Sequence, residues 1–262
     1  MNQSDYVVIV NTGRTGSTWL SRCLGRHPEI LDGCECNLFG MGAEAIGDGR
    51  YSVSTIIDAW RRGRENGFVR SMMPIPLRDL EEEEVYTVMG NLVMSMSGYV
   101  LGKAEKTKII DKSPSYTWRK TGLREIKESI PGATYIHLVR DFRSVWVSIV
   151  RMKTFMANPL GDDVNAFCDH ILGIYSNIDA IFKQGLPVIG YEDMCSDFET
   201  TMNYAMDIIG VPLVDAEVLL GGDRLSGDRN VDSSNWEFVP KDDIRIITKK
   251  LAPLLTRFGY EV

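Results

Sequence analysis

The chain has 262 residues, of which 44% are hydrophobic and 25% are charged. These proportions are typical of a folded globular protein and exclude a disordered chain. The net charge of −7 and the pI near 5.1 argue against nucleic acid or another extended polyanion as the main partner, because such partners require a basic surface.

The first predicted element is a strand that leads through a glycine-containing loop into a helix. The segment YVVIVNTGRTGSTWL opens with a β-branched run, residues 6–10, which is typical of a buried parallel strand. Gly13 and Gly16 let the following backbone turn tightly and approach a ligand closely. Ser17 or Thr18 is predicted to cap the helix that follows.

The start of this helix predicts a site for an anion. The first backbone N–H groups of a helix have no partners inside it and carry the positive end of the helix dipole. Arg14 adds a charged, forked set of donors suited to oxyanions. The same pattern also occurs in a simple tight connection between a strand and a helix.

A Walker A loop would place lysine before Ser17, but Gly16 stands there, so an ordinary ATP or GTP hydrolase is disfavoured.

Further along the chain, segments typical of buried strands alternate with segments long enough for helices. Strands are predicted at residues 30–34, 108–111, 134–139 and 187–191. Helices are predicted at residues 54–64, 77–98, 118–130, 141–153, 164–184, 192–209 and 240–260. This alternation predicts an α/β fold, P-loop-like and built in three layers, with a central parallel sheet flanked by helices.

The domain organisation follows from the length and from one interruption of the pattern. A chain of 262 residues lies near the upper limit of what one hydrophobic core supports, so a single domain over residues 1–262 is expected. Residues 39–107 depart from the strand and helix alternation, which predicts a helical insertion that acts as a lid or as a wall of the acceptor site. The acidic run at residues 81–84 is predicted to be the solvated first turn of a helix in this insertion.

A second candidate site follows the strand at residues 134–139. Arg140 comes directly after this strand, at the edge of an open α/β sheet where ligands bind. Ser148 lies two turns along the next helix, among apolar residues. A buried hydroxyl without a partner costs about 1–3 kcal/mol, so Ser148 either bonds to its own helix backbone or contacts a ligand. Its pairing with Arg140 and with the first loop favours a ligand.

At these two sites the chain resembles the sulfotransferases that use 3′-phosphoadenosine 5′-phosphosulfate (PAPS). The first loop is similar to that family's 5′-phosphosulfate loop, and Arg140 with Ser148 reproduces its 3′-phosphate motif at the same separation. The resemblance implies PAPS as the donor, 3′-phosphoadenosine 5′-phosphate as the product, and no metal. It also implies a set of cofactor-binding residues in the loop, namely Thr12, Gly13, Arg14, Thr15, Gly16, Ser17 and Thr18.

Other segments extend the resemblance over most of the chain. HPEI at residues 27–30, followed by Glu35, is similar to a segment of tyrosylprotein and carbohydrate sulfotransferases, which implies that Glu35 is the catalytic base. DKSP resembles the family's Lys-x-Pro segment, which implies that Lys112 faces the reacting sulfate. YED resembles the motif whose tyrosine, here Tyr191, contacts adenine. GDR, which ends at Arg229, looks like the late loop that covers the cofactor.

The resemblance implies an in-line sulfuryl transfer with three catalytic residues. Arg14 and Lys112 supply positive charge to the transferring group, and Glu35 accepts the acceptor's proton. Cytosolic phenol and steroid sulfotransferases use a histidine base after the third strand, where this chain has Lys112 and Ser113. Their first loop carries a lysine, where this chain has Arg14. The resemblance is therefore to the glutamate-base branch, and none of the three histidines is predicted to be the base.

Each of these residues also has a purely structural interpretation. Glu35 is then a surface carboxylate at a strand end, Lys112 a solvated loop lysine, Tyr191 an ordinary core tyrosine, and Arg229 the ion-pair partner of a neighbouring aspartate. For the whole chain, the alternatives are a P-loop kinase-like phosphotransferase, which would require magnesium and ATP, and a catalytically silent nucleotide-binding protein.

Charge, apolar runs and cysteine spacing constrain the acceptor and the compartment. An acidic chain without basic stripes favours a small neutral or cationic alcohol or amine as acceptor; O- and N-sulfation both stay open, as does the oligomeric state. No apolar run is long enough to span a bilayer, and the first strand begins too early for a signal peptide. The five cysteines lack the CxxC spacing of a zinc site. The cytoplasm is therefore the expected compartment.

Overall fold

The structure is a computed structural model, and it describes residues 1–33, 35–36, 38–39, 53–65, 79–151, 163–221, 236 and 239–262. Within these residues, one sheet is formed by β1 (Tyr6–Val10), β2 (Ile30–Asp32), β3 (Lys108–Asp111), β4 (Thr134–Val139) and β5 (Val188–Gly190). The strands run parallel in the order β2-β3-β1-β4-β5 and are flanked by helices. The predicted α/β fold is thus confirmed.

Three of the five predicted strands have the bounds that the sequence indicated, namely β1, β3 and β4. All five residues of β1 are buried, as expected for a β-branched strand in the interior of a parallel sheet. The other two strands are shorter than predicted, because β2 ends at Asp32 and β5 begins at Val188 and ends at Gly190.

The described residues form twelve α-helices, some of which consist of one or two turns. In chain order they are α1 (Ser17–Gly25), α2 (Val53–Glu65), α3 (Glu82–Ala104), α4 (Ser115–Trp118), α5 (Gly122–Ser129), α6 (Phe142–Arg151), α7 (Val164–Ile181), α8 (Tyr191–Ser196), α9 (Phe198–Ile209), α10 (Ala216–Leu220), α11 (Lys241–Lys250) and α12 (Ala252–Arg257).

The chain divides into two compact units. The first unit comprises residues 1–10 and 27–135, and the second comprises residues 11–26 and 136–262. Each unit is described by itself below. The organisation as a single domain with an insertion stays a prediction.

In the first unit, the two helices that the structure describes within the predicted insertion pack against α5. A Cβ atom at Gly90 of α3 would overlap the backbone oxygen of Ser129, so these two helices approach more closely than an alanine would allow. Arg61 of α2 and Arg119 both form ion pairs with Glu125, whose side chain is fully buried in α5. Close helix packing and a buried ion cluster therefore hold α2 and α3 in place.

The bounds of α3 differ from the prediction of residues 77–98, of which residues 77 and 78 lie outside the described part. The helix begins at Glu82 because Glu81 is its N-cap, and the backbone N–H of Glu81 donates to the carboxylate of Glu84 at 2.8 Å. It continues to Ala104. The acidic first turn is only partly solvated, since Glu82 accepts hydrogen bonds from Arg61.

In the second unit, two predicted helices are each interrupted. The segment at residues 192–209 breaks at Asp197, whose carboxylate accepts a hydrogen bond from the backbone N–H of Thr200 and caps α9. The segment at residues 240–260 breaks at Leu251, because Pro253 in the first turn of α12 has no N–H to continue the preceding helix. Local capping and proline chemistry decide both boundaries.

Candidate active site

The loop between β1 and α1 contains three residues with left-handed backbone. Gly13, Arg14 and Gly16 have positive φ angles of 83°, 57° and 87°. The backbone N–H of Gly13 donates to Oδ1 of Asn11 at 3.0 Å. Left-handed backbone is common for glycine and unusual for arginine, so the conformation at Arg14 is imposed by the loop around it.

Gly16 begins the helix that follows the loop. It is the N-cap of α1, and its carbonyl accepts from the backbone N–H groups of Trp19 and Leu20. The prediction of a hydroxyl cap at Ser17 or Thr18 is therefore wrong, since both residues already belong to the helix. A Cβ atom at position 16 would overlap the ring of Tyr191, which explains why glycine stands there.

The structure brings together Arg14, Arg140 and Ser148, as the sequence predicted. Nε of Arg14 donates to Oγ of Ser148 at 3.1 Å, and a terminal nitrogen of Arg140 donates to the backbone oxygen of Arg14 at 3.3 Å. Burial lowers the pKa of Arg14, and the nearby charge of Arg140 lowers it further. A guanidinium group nevertheless stays charged near neutral pH, so two fixed positive charges lie side by side.

Tyr191 lies beside these arginines, at the start of α8 where β5 ends. The guanidinium carbon of Arg140 is 4.2 Å from the centre of the Tyr191 ring, a cation–π contact. Trp19 meets the same ring edge-on at 6.0 Å. The ring of Tyr191 therefore lines the same pocket as the two arginines.

These side chains line one pocket of about 320 Å³ in the second unit. The sequence prediction missed two of its residues, Trp19 and Arg22. Arg22 follows Thr18 by one helical turn, so the four-residue spacing places both on one face of α1 and would have indicated Arg22. The pocket is lined by Arg14, Gly16, Ser17, Thr18, Trp19, Arg22, Arg140, Ser148 and Tyr191.

The other predicted catalytic residues, Glu35 and Lys112, form an ion pair in the first unit. Nζ of Lys112 is 2.6 Å from Oε1 of Glu35. The side chain of Lys112 is 2% exposed and that of Glu35 is 47% exposed. Lys112 is therefore a buried cation rather than a solvated loop lysine, and its position directly after β3 is the edge where parallel sheets bind ligands.

A buried carboxylate anchors the backbone beside Lys112. Asp111 accepts hydrogen bonds from the hydroxyl groups of Tyr6, Tyr116 and Ser113. Burial raises the pKa of Asp111, and these hydrogen bonds oppose that shift. The hydroxyl oxygen of Tyr116 also accepts from the backbone N–H of Leu38 at 3.0 Å. One cluster therefore holds both the end of β3 and the segment that follows Glu35.

The other predicted residues of the first loop differ in burial. Thr12 and Thr15 in the loop and Ser17 at the start of α1 are buried, whereas Thr18 is exposed. Arg229 lies outside the described residues, so its predicted role concerns a part of the chain that the structure does not describe.

Within the described part, no three His, Cys, Asp or Glu side chains are grouped as a metal site would require. The same residues contain no helix long and apolar enough to cross a membrane.

Comparison with known proteins shows to which family this chain belongs. The model of the sulfotransferase family matches residues 6–215, a span that includes the first loop, Glu35, Lys112, Arg140 and Tyr191. The chain belongs to the sulfotransferase family. A comparison with curated protein sequences gave no match.

Solved structures of sulfotransferases share the fold of this family member. A sulfotransferase domain from the curacin biosynthetic pathway is 18% identical, with a TM-score of 0.59 and 98% of each chain covered. The sulfotransferase domain of the olefin synthase of Synechococcus PCC 7002 is 21% identical, with a TM-score of 0.55 and coverage of 98% of this chain and 94% of that one. A sulfotransferase from Alicyclobacillus acidocaldarius is 13% identical, with a TM-score of 0.52 and coverage of 98% and 96%.

Proposed function

We propose that this sulfotransferase moves a sulfuryl group from PAPS to a hydroxyl or amine of a small-molecule acceptor. The observation that carries the proposal is the convergence of Arg14, Arg140 and Ser148 on one pocket at the start of α1. A family member with two guanidinium groups at a helix N-terminus has the donors that a doubly phosphorylated nucleotide requires. The kinase-like alternative has no such support from the family match.

In this proposal the second unit holds the nucleotide. The loop residues Thr12 to Thr18 surround the 5′-phosphosulfate with backbone N–H groups. The positive φ angles at Gly13, Arg14 and Gly16 support this role, because backbone of this kind forms concave anion-binding sites. Arg140 and Ser148 bind the 3′-phosphate. The aromatic rings of Trp19 and Tyr191, which line the same pocket, supply flat surfaces for the adenine base. Arg229 is proposed to cover the nucleotide.

Glu35 and Lys112 are proposed to carry out the chemistry together with Arg14. PAPS supplies an activated sulfuryl group. The acceptor oxygen or nitrogen forms a bond to sulfur while the bond from sulfur to the phosphate oxygen breaks, and 3′-phosphoadenosine 5′-phosphate leaves. Glu35 takes the acceptor's proton, and its exposed carboxylate can be reached from solvent. Lys112 and Arg14 stabilise the charge that develops on the transferring and leaving oxygens.

The acceptor is proposed to be small and neutral or cationic. The chain carries a net charge of −7, which repels polyanionic acceptors at long range. Nucleic acid is not proposed as a partner for the same reason. The cytoplasm stays the predicted compartment.

The test is a panel of alcohol and amine acceptors incubated with ³⁵S-labelled PAPS, run beside calorimetric titration of 3′,5′-adenosine diphosphate. We expect transfer of label to at least one acceptor and saturable binding of the nucleotide. A parallel arm with magnesium and γ-labelled ATP measures phosphoryl transfer. Absence of nucleotide binding would overturn the proposal, label transfer from ATP alone would favour the kinase, and binding without any turnover would favour the silent binder.

A further inference from the structure

Helix α3 of the first unit has an apolar face that points to solvent. Its opposite face is buried and includes Val85, Met89, Val93 and Leu101. Among the described residues, thirteen large hydrophobic side chains are exposed, and five of them lie on this one helix at exposed fractions of 41–69%. These five are Val88, Leu92, Met96, Tyr99 and Val100.

The exposed residues form a continuous row rather than scattered positions. Val88, Leu92, Met96 and Val100 follow one another at intervals of four residues, so their side chains lie one above the next along the helix surface. Single exposed apolar residues need no explanation, but a continuous apolar row marks an interaction surface. Three or four turns of α3 are therefore available for a partner.

The ends of the same face carry opposite charges. Glu84, at the start of α3, stands four residues before Val88 in the same row. Lys103 stands near the end, and its Nζ lies 5.8 Å from the centre of the Tyr99 ring, which places the ammonium group beside the apolar row. The face therefore reads acidic, apolar and basic along the helix.

We propose that a second copy of this chain binds this face, with the two α3 helices antiparallel about a two-fold axis near residue 94. In this register Val88 faces the partner's Val100, Leu92 faces the partner's Met96, and Glu84 faces the partner's Lys103. A two-fold contact requires a surface that is complementary to itself, and the sequence of this face satisfies that requirement at each of the three pairs. A parallel arrangement would instead place like charges together at both ends.

The size of the contact sets its expected strength. A helix of 23 residues is about 34 Å long, and one pair of such helices buries less than the roughly 800 Å² per partner of a standard interface. We therefore expect a dimer that dissociates in the micromolar range rather than an obligate one. This inference is independent of the proposed sulfuryl transfer.

The experiment is sedimentation velocity of the full chain over about 1–100 µM, the range in which small interfaces associate. We expect a concentration-dependent dimer for the natural sequence. Leu92→Glu should raise the dissociation constant at least about tenfold, because it places a charge at the centre of the apolar row. The control is Leu172→Glu, a similarly exposed leucine on α7, which should leave the dimer unchanged.

Reversing the charges at the two ends of the row tests the antiparallel register. It also distinguishes a weaker dimer contact from a loss of folding. Glu84→Lys and Lys103→Glu should each weaken the dimer, and the double variant should restore it toward the natural value. Both positions are exposed, but the Glu84 carboxylate also accepts a hydrogen bond from the backbone N–H of Glu81 at the start of α3. Circular dichroism at each concentration therefore checks that every variant is folded and keeps its helix content. A chain that stays monomeric at every concentration overturns the proposal. A dimer that Leu92→Glu does not weaken, or that the double charge swap does not restore, overturns it equally.

Discussion

Arg14 lies in left-handed backbone, with a φ angle of 57°. This conformation costs a residue other than glycine about 1–2 kcal/mol, and such costs persist where the surroundings fix the backbone. Here Gly13 and Gly16 curl the loop on both sides, and Arg140 donates to the backbone oxygen of Arg14. The loop thereby fixes the guanidinium of Arg14 beside Ser148 before any ligand arrives.

At the residue scale, Arg140→Ala should weaken the binding of two nucleotides to different extents, although these nucleotides differ only in the 3′-phosphate. We expect binding of 3′,5′-adenosine diphosphate to weaken about 10–100-fold, the usual worth of a charged hydrogen bond. Binding of 5′-AMP should change far less. Isothermal titration of both nucleotides measures the difference, with Arg151→Ala on α6 as the control. Equal losses for the two nucleotides would remove the 3′-phosphate role of Arg140.

Glu35→Gln tests the proposed base. We expect kcat to fall by roughly 10²–10⁴, the usual contribution of a positioned proton acceptor, while the affinity for 3′,5′-adenosine diphosphate stays the same. The amide keeps the shape of the side chain but cannot take a proton. Initial rates with the best acceptor provide the measurement, and Glu128→Gln on α5 provides an exposed glutamate for comparison. Turnover at the natural rate in Glu35→Gln would exclude Glu35 as the base.

The sequence predicted some of these residues and missed others for identifiable reasons. The pairing of Arg14 with Arg140 and Ser148 was predictable, because Arg14 and Arg140 each follow a strand that can be recognised from its β-branched residues, and Ser148 lies two turns along the helix that follows Arg140. The cluster around Asp111 was not predictable, since Tyr6 lies 105 residues away in sequence from the carboxylate to which it donates. Only the parallel pairing of β1 with β3 brings them together.

At the scale of elements, the contact between α3 and α5 depends on a single glycine. Gly90→Ala places a methyl group where the backbone oxygen of Ser129 lies, and a backbone atom cannot rotate away as a side chain can. The helices must separate, which leaves gaps among the buried residues of both.

We therefore expect Gly90→Ala to lower the free energy of unfolding by about 1–3 kcal/mol. Gly102→Ala on the same helix is the matched control, because no atom lies within 4 Å of a Cβ atom built there. That variant should be neutral or more stable by about 0.5–1 kcal/mol, the difference in helix propensity. Urea unfolding followed by circular dichroism measures both. A Gly90→Ala variant as stable as Gly102→Ala would contradict the close packing of α3 on α5.

Element types were easier to predict than element boundaries. The strands β1, β3 and β4 were predicted to the residue, because a short β-branched run has few alternative registers. The closing helix was predicted as one piece although Pro253 interrupts it. The apolar residues on both sides of the break keep helical spacing, so periodicity alone could not reveal it.

At the scale of the whole molecule, the core of the second unit encloses a histidine that resists protonation. His137 of β4 is 2% exposed and packs against the rings of Tyr175 and Phe258. Its Nε2 lies 3.3 Å from the hydroxyl oxygen of Tyr175. Burial lowers the pKa of His137 from 6.5 to about 4, and the charge of Arg257 contributes in the same direction.

The lowered pKa makes the stability of the chain depend on pH. Between about pH 6.5 and pH 4 the unfolded chain binds a proton at His137 that the folded chain does not, so the free energy of unfolding falls as the pH falls. The slope for one proton is about 1.4 kcal/mol per pH unit, which gives about 3 kcal/mol over this window. Above about pH 6.5 the contribution is fully present.

The effect is isolated by urea unfolding of the natural chain and of His137→Gln between pH 4.5 and pH 7.5. About three-quarters of the change in the free energy of unfolding falls within that range. Glutamine cannot be protonated, so the difference in stability between the two chains should shrink as the pH is lowered. His170→Gln provides a comparison at a partly buried histidine whose pKa is also lowered by burial. A difference that stays constant with pH would mean that His137 titrates normally in the folded chain.

The position of β1 in the sheet also has a consequence for biosynthesis. β1 ends at Val10, but its partner β3 begins only at Lys108. At about 5–20 residues per second, roughly 5–20 s pass on the ribosome between the two strands. Throughout that interval the backbone of β1 has no β3 partner. A five-residue segment that is fully buried in the folded protein therefore stays exposed on the nascent chain. A nascent-chain chaperone would therefore find an exposed apolar strand at residues 6–10 during that interval.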